Sequence, residues 1–278
     1  MTYDPFHLEG PAVVSFSGGR TSGYMLRRIL DSHGGALPAD VHVLFANTGR
    51  EMPKTLDFVQ ACGERWNVPI VWLEYCDWEG KPRRLWREVT YDTASRNGEP
   101  LDIAIRKKGT LPKNLPGWRF CTSEVKVKTF QRWMKAHGHK EWSNIVGLRF
   151  DEPRRVANAT APNDKRGPWE TSAPLHEARA TRRTVLDFWA SQPFDLGLEA
   201  YESNCDLCFM KGQATLDRMI RNHPERAEWW IEHERRSGMQ FKNTPYAAMV
   251  DRVHRLPMLP GIGLDDADET GVACVCTD

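Results

Sequence analysis

The feature that most restricts this chain is a short apolar run, Ala12 to Phe16, followed at once by Ser17-Gly18-Gly19-Arg20-Thr21-Ser22 and then by Tyr24, Met25, Ile29 and Leu30 at helical spacing. A strand, a glycine-rich turn and a helix are predicted in that order. Backbone N–H groups and hydroxyls of such a turn converge on an anion at the helix N-terminus, where the helix dipole adds to them. The pattern then repeats. Val41 to Ala46 reads as a second strand and ends in Asn47-Thr48-Gly49; Pro53 falls at the first position of a helix continuing through Thr55 to Trp66, and Pro69 to Tyr75 reads as a third strand. Strands that are apolar nearly throughout and separated by helices imply an α/β fold, a doubly wound parallel sheet covered on both faces, with ligands at the carboxyl ends of its strands.

Asp77 to Trp118, punctuated by Gly80, Pro82, Gly98, Pro100, Gly109, Pro112, Pro116 and Gly117, reads as an excursion from the sheet. A helix over Ser123 to His137 follows, with Val125, Phe130, Trp133 and Met134 as its apolar stripe, then a fourth strand near Asn144 to Leu148 and a loop over Asp151 to Arg166. The final third reads as helices over Thr181 to Ser191, Ala214 to His223 and Arg226 to Arg236. Residues 1–176 are therefore expected to form a nucleotide-binding α/β domain and 177–278 a helical part. Trp229-Trp230-Ile231 reads as packing within it, and the acidic run 265–269 as a solvated hinge.

Lys+Arg 38 against Asp+Glu 37 gives a net charge of +1, which excludes a global field of the histone or polybasic membrane kind. Any nucleic-acid contact is expected to be local. Arg106, Lys107, Lys108, Lys113 and Arg119, with no acid among them, form one such cationic stretch. The apolar runs fall far short of the roughly 20 residues of a membrane span, and no leader precedes the first strand, so a soluble, intracellular, cytoplasmic protein is expected.

The glycine-rich turn fits neither the P-loop nor the dinucleotide fingerprint, nor the hydrolase nucleophile elbow. On its own it is also compatible with an ordinary Ser/Gly-rich turn. The strand-SGGxxS-helix order resembles the PP-loop of the adenine-nucleotide α-hydrolase superfamily, whose members split ATP between its α and β phosphates or bind adenylyl sulfates. Further blocks resemble its phosphoadenosine phosphosulfate reductase-like branch: Asn47-Thr48-Gly49 with Pro53-Lys54-Thr55; Arg119-Phe120-Cys121-Thr122 with Lys126; Gly147-Leu148-Arg149 with Asp151, Glu152 and Arg155; and Val185-Leu186-Asp187-Phe188-Trp189 followed by Glu202-Ser203-Asn204-Cys205-Asp206-Leu207-Cys208. These blocks keep the family's order over residues 13–210.

The resemblance implies a nucleotide site formed by Ser17, Gly18, Gly19, Thr21, Ser22, Asn47, Thr48, Gly49 and Gly147. Arg20, Lys126 and Arg149 are the implied catalytic cations, with ATP or an adenylyl sulfate as nucleotide and Mg²⁺ as its companion. The expected reaction is attack by an acceptor oxygen on the α-phosphorus with loss of pyrophosphate, coupled to sulfur transfer from a donor such as a cysteine desulfurase. Nucleic acid, tRNA or DNA, is among the acceptors. A reductase acting on adenylyl sulfate or phosphoadenylyl sulfate is the alternative, and a nucleotide- or nucleic-acid-binding module without turnover is a third. Two departures bear on this choice: Arg20-Thr21 stands where many relatives have Lys-Asp, and the chain ends Cys274-Val275-Cys276-Thr277-Asp278 in place of the reductases' Glu-Cys-Gly tail.

Seven cysteines in a reducing compartment argue against a disulfide framework. Cys62 and Cys76 read as small buried hydrophobes. C-x-x-C at Cys205 and Cys208 suits a redox dithiol, a zinc corner or an iron–sulfur pair. The resemblance implies that Cys121 joins them as in the adenylyl-sulfate reductases that hold a [4Fe–4S] cluster. Phe120 occupies one ligand's place, so the tail supplies the fourth thiolate, Cys276 ahead of Cys274, with zinc as the alternative metal. His137 and His139 are spaced wrongly for a helical ligand pair and read as structure.

Overall fold

A computed structural model describes residues 3–77, 84–113, 115, 118–161 and 167–255. Its centre is a six-stranded sheet of β1 (Ala12–Ser15), β2 (Val41–Asn47), β3 (Ile70–Tyr75), β4 (Trp86–Val89), β5 (Trp142–Ile145) and β6 (Trp169–Ser172), in the order β4-β3-β2-β1-β5-β6. All neighbours are parallel except β3 and β4. The strands' period-2 alternation divides the core. Ala12, Val14, Phe16, Val43 and Phe45 enter one buried cluster, whereas Val13, Leu44, Ala46 and Leu73 enter a second with Phe130, Trp133 and Met134. The sheet is thus covered on both faces, as its unbroken apolar runs predict.

Helices α1 (Arg20–Ser32) and α2 (Pro53–Arg65) make the first two crossovers, and Pro53 is the first residue of α2, where its missing N–H costs no hydrogen bond. The excursion is more ordered than its glycines and prolines suggest. It contains edge strand β4 and helix α3 (Glu99–Lys108), with Gly98 and Gly109 as the two flanking caps of that helix. Glu99 and Asp102 lie in its first turn and Arg106, Lys107 and Lys108 in its last, so the cationic stretch complements the helix dipole. Two of these cations are also paired, Arg106 with Asp102 at 3.0 Å and Lys107 with Asp77 at 2.6 Å.

The helix expected over 123–137 begins earlier and is irregular. A short α4 (Phe120–Thr122) passes through a π-helical turn, Ser123–Val127, into α5 (Lys128–Ala136). β5 lies about two residues before its expected place, which leaves Val146, Gly147 and Leu148 beyond the strand end. Helix α6 (Pro153–Thr160) occupies much of the segment read as loop, and β6 and α7 (Pro174–Glu177) follow it.

Helix α8 (Arg182–Ala190) starts at Thr181, whose hydroxyl accepts from the Thr184 N–H. α9 (Gln213–Asn222), a 3₁₀ turn at Pro224–Arg226, α10 (Ala227–Ser237) and α11 (Tyr246–Arg255) complete the described chain. Trp230 is buried against Phe241 and Tyr246, and half-buried Trp229 stacks on His233 at 3.8 Å. One buried cluster runs from Phe6 to Val253, joining residues on both sides of position 176. Cys62 and Cys76 are buried, and desolvation raises both thiols above their ordinary range. Among the described residues no helix is long and apolar enough to cross a membrane.

Candidate functional site

The sheet changes winding direction at β1: β2 and β3 lie on one side and β5 and β6 on the other. Diverging connections open a crevice at the carboxyl ends of β1 and β5, the place where doubly wound sheets take ligands. Ser17–Ser22 forms the β1 lip. Gly18 has φ +76° there, and a Cβ would lie 2.8 Å from Thr55 Cγ2, so this position requires glycine for both backbone angle and space. The Ser22 hydroxyl organises the turn. It accepts from the Ser17 and Gly19 N–H groups at 3.2 and 3.3 Å, and its oxygen lies 2.9 Å from Ser17 Oγ.

The β5 lip packs directly on this turn. A Cβ on Gly147 would stand 3.3 Å from Ser22 Cα, so the close approach of the two lips depends on the missing side chain. Two residues on, Arg149 donates from Nη1 to Thr21 Oγ1 at 3.3 Å and from Nε to Asp151 Oδ1 at 2.9 Å. Burial pushes the Asp151 carboxyl up, but the Arg182 N–H and the Arg149 guanidinium outweigh it and hold the group below its ordinary range. Arg20 points elsewhere. Its Nε donates to Asp195 Oδ1 at 2.8 Å and its Nη2 to the Leu198 carbonyl at 3.2 Å. Arg20, Thr21 and Arg149 nevertheless line one cleft of about 570 Å³, together with Leu186 and Trp189 of α8 and with Leu196 and Leu198.

The end of β2 supplies a second layer. Asn47 is fully buried; its amide donates to Glu74 Oε1 at 2.7 Å and to the Ser95 carbonyl at 2.8 Å, while its side-chain oxygen accepts from the Gly49 N–H at 3.0 Å. It therefore shapes the Thr48–Gly49 turn from behind. Gly49 in turn meets the α3 cap, where a Cβ would lie 2.8 Å from the Gly98 nitrogen.

Beyond that turn the chain grips the cysteine turn. The Asp206 N–H donates to the Arg50 carbonyl at 2.9 Å, the Met52 N–H to the Asn204 carbonyl at 2.7 Å, and Glu51 and Cys205 form an isolated antiparallel bridge. Side chains repeat the grip. Arg50 pairs with Asp206 through both Nε and Nη2 and lies over the Trp229 ring, while Trp230 Nε1 donates to the same carboxylate at 3.3 Å. Burial pushes the Asp206 carboxyl up to about 6 against the pull of Arg50 and Arg226. Asn204 reaches back to the first lip, its amide donating to the Ser17 carbonyl at 2.8 Å. The cysteine turn therefore contacts both the Ser17–Ser22 turn and the β2 end.

Cys205 and Cys208 are buried on this turn, whose Leu207 has φ +34° and whose carbonyl accepts from Tyr246 Oη at 2.5 Å. Lys126, from the π-helical turn, lies against it: Nζ is 3.2 Å from Glu51 Oε1, the oxygen that Cys205 Sγ approaches at 3.7 Å. Cys121, partly exposed, lies in α4 at the start of the same irregular helical segment. Among the described residues no three His, Cys, Asp or Glu side chains stand together as a metal-holding group, and Cys274 and Cys276 lie outside those residues. The donor chemistry of the thiols fits iron–sulfur or zinc, and two of them sit on a turn held by Arg50, Met52 and Tyr246.

No family model matches the chain. It is similar to the uncharacterised nin region protein ORF290 of Escherichia phage lambda, 31% identical over 204 residues, which are 72% of this chain and 66% of that protein. The match spans just under two thirds of the phage protein's length. Among solved structures the chain is similar to the U34-tRNA thiolase NcsA from Methanococcus maripaludis with its [4Fe-4S] cluster, at 14% identity and a TM-score of 0.41, covering 96% of this chain and 80% of that one.

Several residues that build the site were given no role by a motif reading: Arg50, Glu51 and Asp195 lie outside every block, and Asn204 and Asp206 lie within the cysteine block without a part of their own. One carried a local signal. Thr48-Gly49-Arg50-Glu51 has the T-x-x-E spacing in which an acid returns to the threonine N–H, and Glu51 Oε2 accepts from the Thr48 N–H at 2.8 Å. The others act through partners some 150 residues away or more, which no local pattern records.

Proposed function

We propose that this chain is an adenine-nucleotide enzyme of the PP-loop kind that adenylylates an acceptor, releases pyrophosphate and feeds sulfur transfer. The observation that carries this reading is the Ser17–Ser22 turn at the β1/β5 crevice, with Arg149 reaching Thr21 from the opposite lip. In the reaction an acceptor oxygen bonds to the α-phosphorus as the bond to the bridging α–β oxygen breaks, and pyrophosphate carries the electron pair away. The protein supplies no covalent nucleophile; it positions the phosphates and offsets their charge. Loop N–H groups and the Arg149 fork suit the phosphate oxygens, and Lys126 adds a point charge. The loop carries Arg20-Thr21 and no acid, so Mg²⁺ would arrive on the nucleotide.

In this reading Cys121, Cys205, Cys208 and Cys276 hold a [4Fe–4S] cluster, with Cys274 as the other tail thiol and zinc as the other metal. A bound iron–sulfur cluster supplies a place for sulfur or electrons to be exchanged. A nucleic acid or a smaller oxygen nucleophile is the acceptor. The pairing of Arg20 with Asp195 favours a second reading, a nucleotide-binding module without turnover, because it withdraws one cation from the leaving group.

The test is incubation of the anaerobically purified protein with ATP or with adenylyl sulfate, following pyrophosphate and sulfite. Pyrophosphate from ATP is expected. Sulfite from adenylyl sulfate would make the chain a reductase, and binding with neither product would make it a module.

A further inference from the structure

Arg20 is the first residue of α1, within the Ser17–Ser22 turn, and its guanidinium fork is engaged by one carboxylate. Nε donates to Asp195 Oδ1 at 2.8 Å and Nη2 to Asp195 Oδ2 at 2.5 Å, and Nη2 also reaches the Leu198 carbonyl at 3.2 Å. Arg20 and Asp195 both line the cleft that Thr21 and Arg149 share. Two parallel N–H···O bonds are also the geometry in which an arginine takes two oxygens of a phosphate. A carboxylate of the protein therefore occupies the fork that a ligand anion would use. The Arg20 hydrogen bonds hold that carboxyl below its ordinary range, so Asp195 is an anion at neutral pH.

The segment that presents Asp195 is anchored apart from this pair. Leu196 and Leu198 are buried, Lys54 Nζ donates to the Gly197 carbonyl at 2.6 Å, and Asp195 Oδ2 accepts from the Gly197 N–H at 3.2 Å. Breaking the pair therefore changes a side-chain contact and leaves the segment in place. The pair is 26% and 36% exposed, so water screens it and another anion can replace the carboxylate at small cost. The cleft's other acids lie differently: Glu202 accepts from the Glu199 N–H at 3.0 Å and approaches His223. We propose that Asp195 is an internal competitor for Arg20 that sets the cleft's selectivity for phosphate: nucleotide phosphate displaces the carboxylate from the fork, and the carboxylate recaptures the fork as pyrophosphate leaves. Only hydrogen bonds are exchanged. This inference rests on the nucleotide reading above. Arg20 then serves the leaving group in the loaded cleft alone, and an uncharged ligand, unable to replace a carboxylate on a guanidinium, gains nothing from it.

The experiment is a double-mutant cycle of Asp195→Asn and Arg20→Gln in the full chain, reading equilibrium affinity for ATP and for adenosine, with a melting curve for each protein. Asp195→Asn is expected to tighten ATP by about three- to tenfold, the size of an exposed pair that no longer has to be broken, and to leave adenosine unchanged. Adding Arg20→Gln is expected to remove that gain, because it is made through the guanidinium. ATP affinity unchanged or weakened in Asp195→Asn, a gain that survives the loss of Arg20, or adenosine tightened alongside ATP would each overturn the inference while leaving nucleotide binding in place. ATP bound by neither the wild-type protein nor Asp195→Asn would overturn the nucleotide reading and this inference with it. Asp195→Ser, shorter and uncharged, takes the place of Asp195→Asn if that variant does not fold; the same gain for ATP alone is expected, and unchanged ATP affinity would be the contrary result.

Discussion

Two arginine–carboxylate pairs flank the site, alike in chemistry and opposite in setting. Arg20–Asp195 lies at the mouth of the cleft with side chains 26% and 36% exposed, whereas Arg50–Asp206 lies beneath the cysteine turn at 10% and 6%. Each ties a strand-end loop to the segment that contains the cysteines. The outer pair is screened by water and adds little to stability; the inner pair is desolvated, so loss of one partner strands a charge in the interior. The difference teaches where the architecture is fixed. The cysteine turn is held to the β2 end by buried contacts, while the edge of the cleft is held by a pair that solvent can replace.

The largest expected effect separates the two chemistries of the site. If the proposed reading holds, Cys205→Ser is expected to abolish iron, sulfide or zinc content while ATP affinity stays within a few-fold, since the Ser17–Ser22 turn uses other residues; full metal content in the variant would remove Cys205 from the ligand set. Arg50→Ala should lower unfolding free energy by about 3–5 kcal/mol, the usual result of breaking a buried pair from one side, read by chemical denaturation. A loss below about 1 kcal/mol would mean that Asp206 finds water or another cation.

Gly18→Ala places a side chain at φ +76° and 2.8 Å from Thr55 Cγ2. It is expected to cost about 1–2 kcal/mol of stability from backbone angle alone and to weaken ATP more than adenosine. The smallest effect belongs to the outer pair. Asp195→Asn is expected to change stability by less than about 1 kcal/mol, and by less still at high salt. Its pH dependence has a definite sign. The Arg20 guanidinium holds the Asp195 carboxyl below its ordinary 3.8, so the pair's contribution is present above that value and lost as pH falls through the lower folded value. Denaturation curves of the wild-type protein and the variant should therefore differ near neutrality and converge in strong acid.

The outer half of this arrangement was legible in the sequence. Ser17 to Ser22 between an apolar run and a helical stripe specifies a local turn, and the three blocks after β1, β2 and β5 fall at the strand ends that a doubly wound sheet brings together. The excursion was read less well because its glycines serve two purposes: Gly98 and Gly109 cap α3, and β4 is a four-residue edge strand too short to show alternation. The tail thiols, on which the four-cysteine set depends, lie outside the described residues. The pairings of Asp206, Asn204 and Asp195 were illegible for a different reason. Their partners, Arg50, Ser17 and Arg20, are neighbours only once the sheet and the helical part have packed, and a polar residue in a loop gives no local sign of such a partner.

The most direct measurement is titration of the wild-type protein with ATP and, separately, with adenosine. In the proposed reading the Ser17–Ser22 turn and Arg149 address phosphate, so ATP is predicted to bind at least tenfold more tightly than adenosine, on the order of one charge-assisted contact or more. Equal affinity for the two, or no binding of either, would contradict the assignment of this crevice as a nucleotide phosphate site.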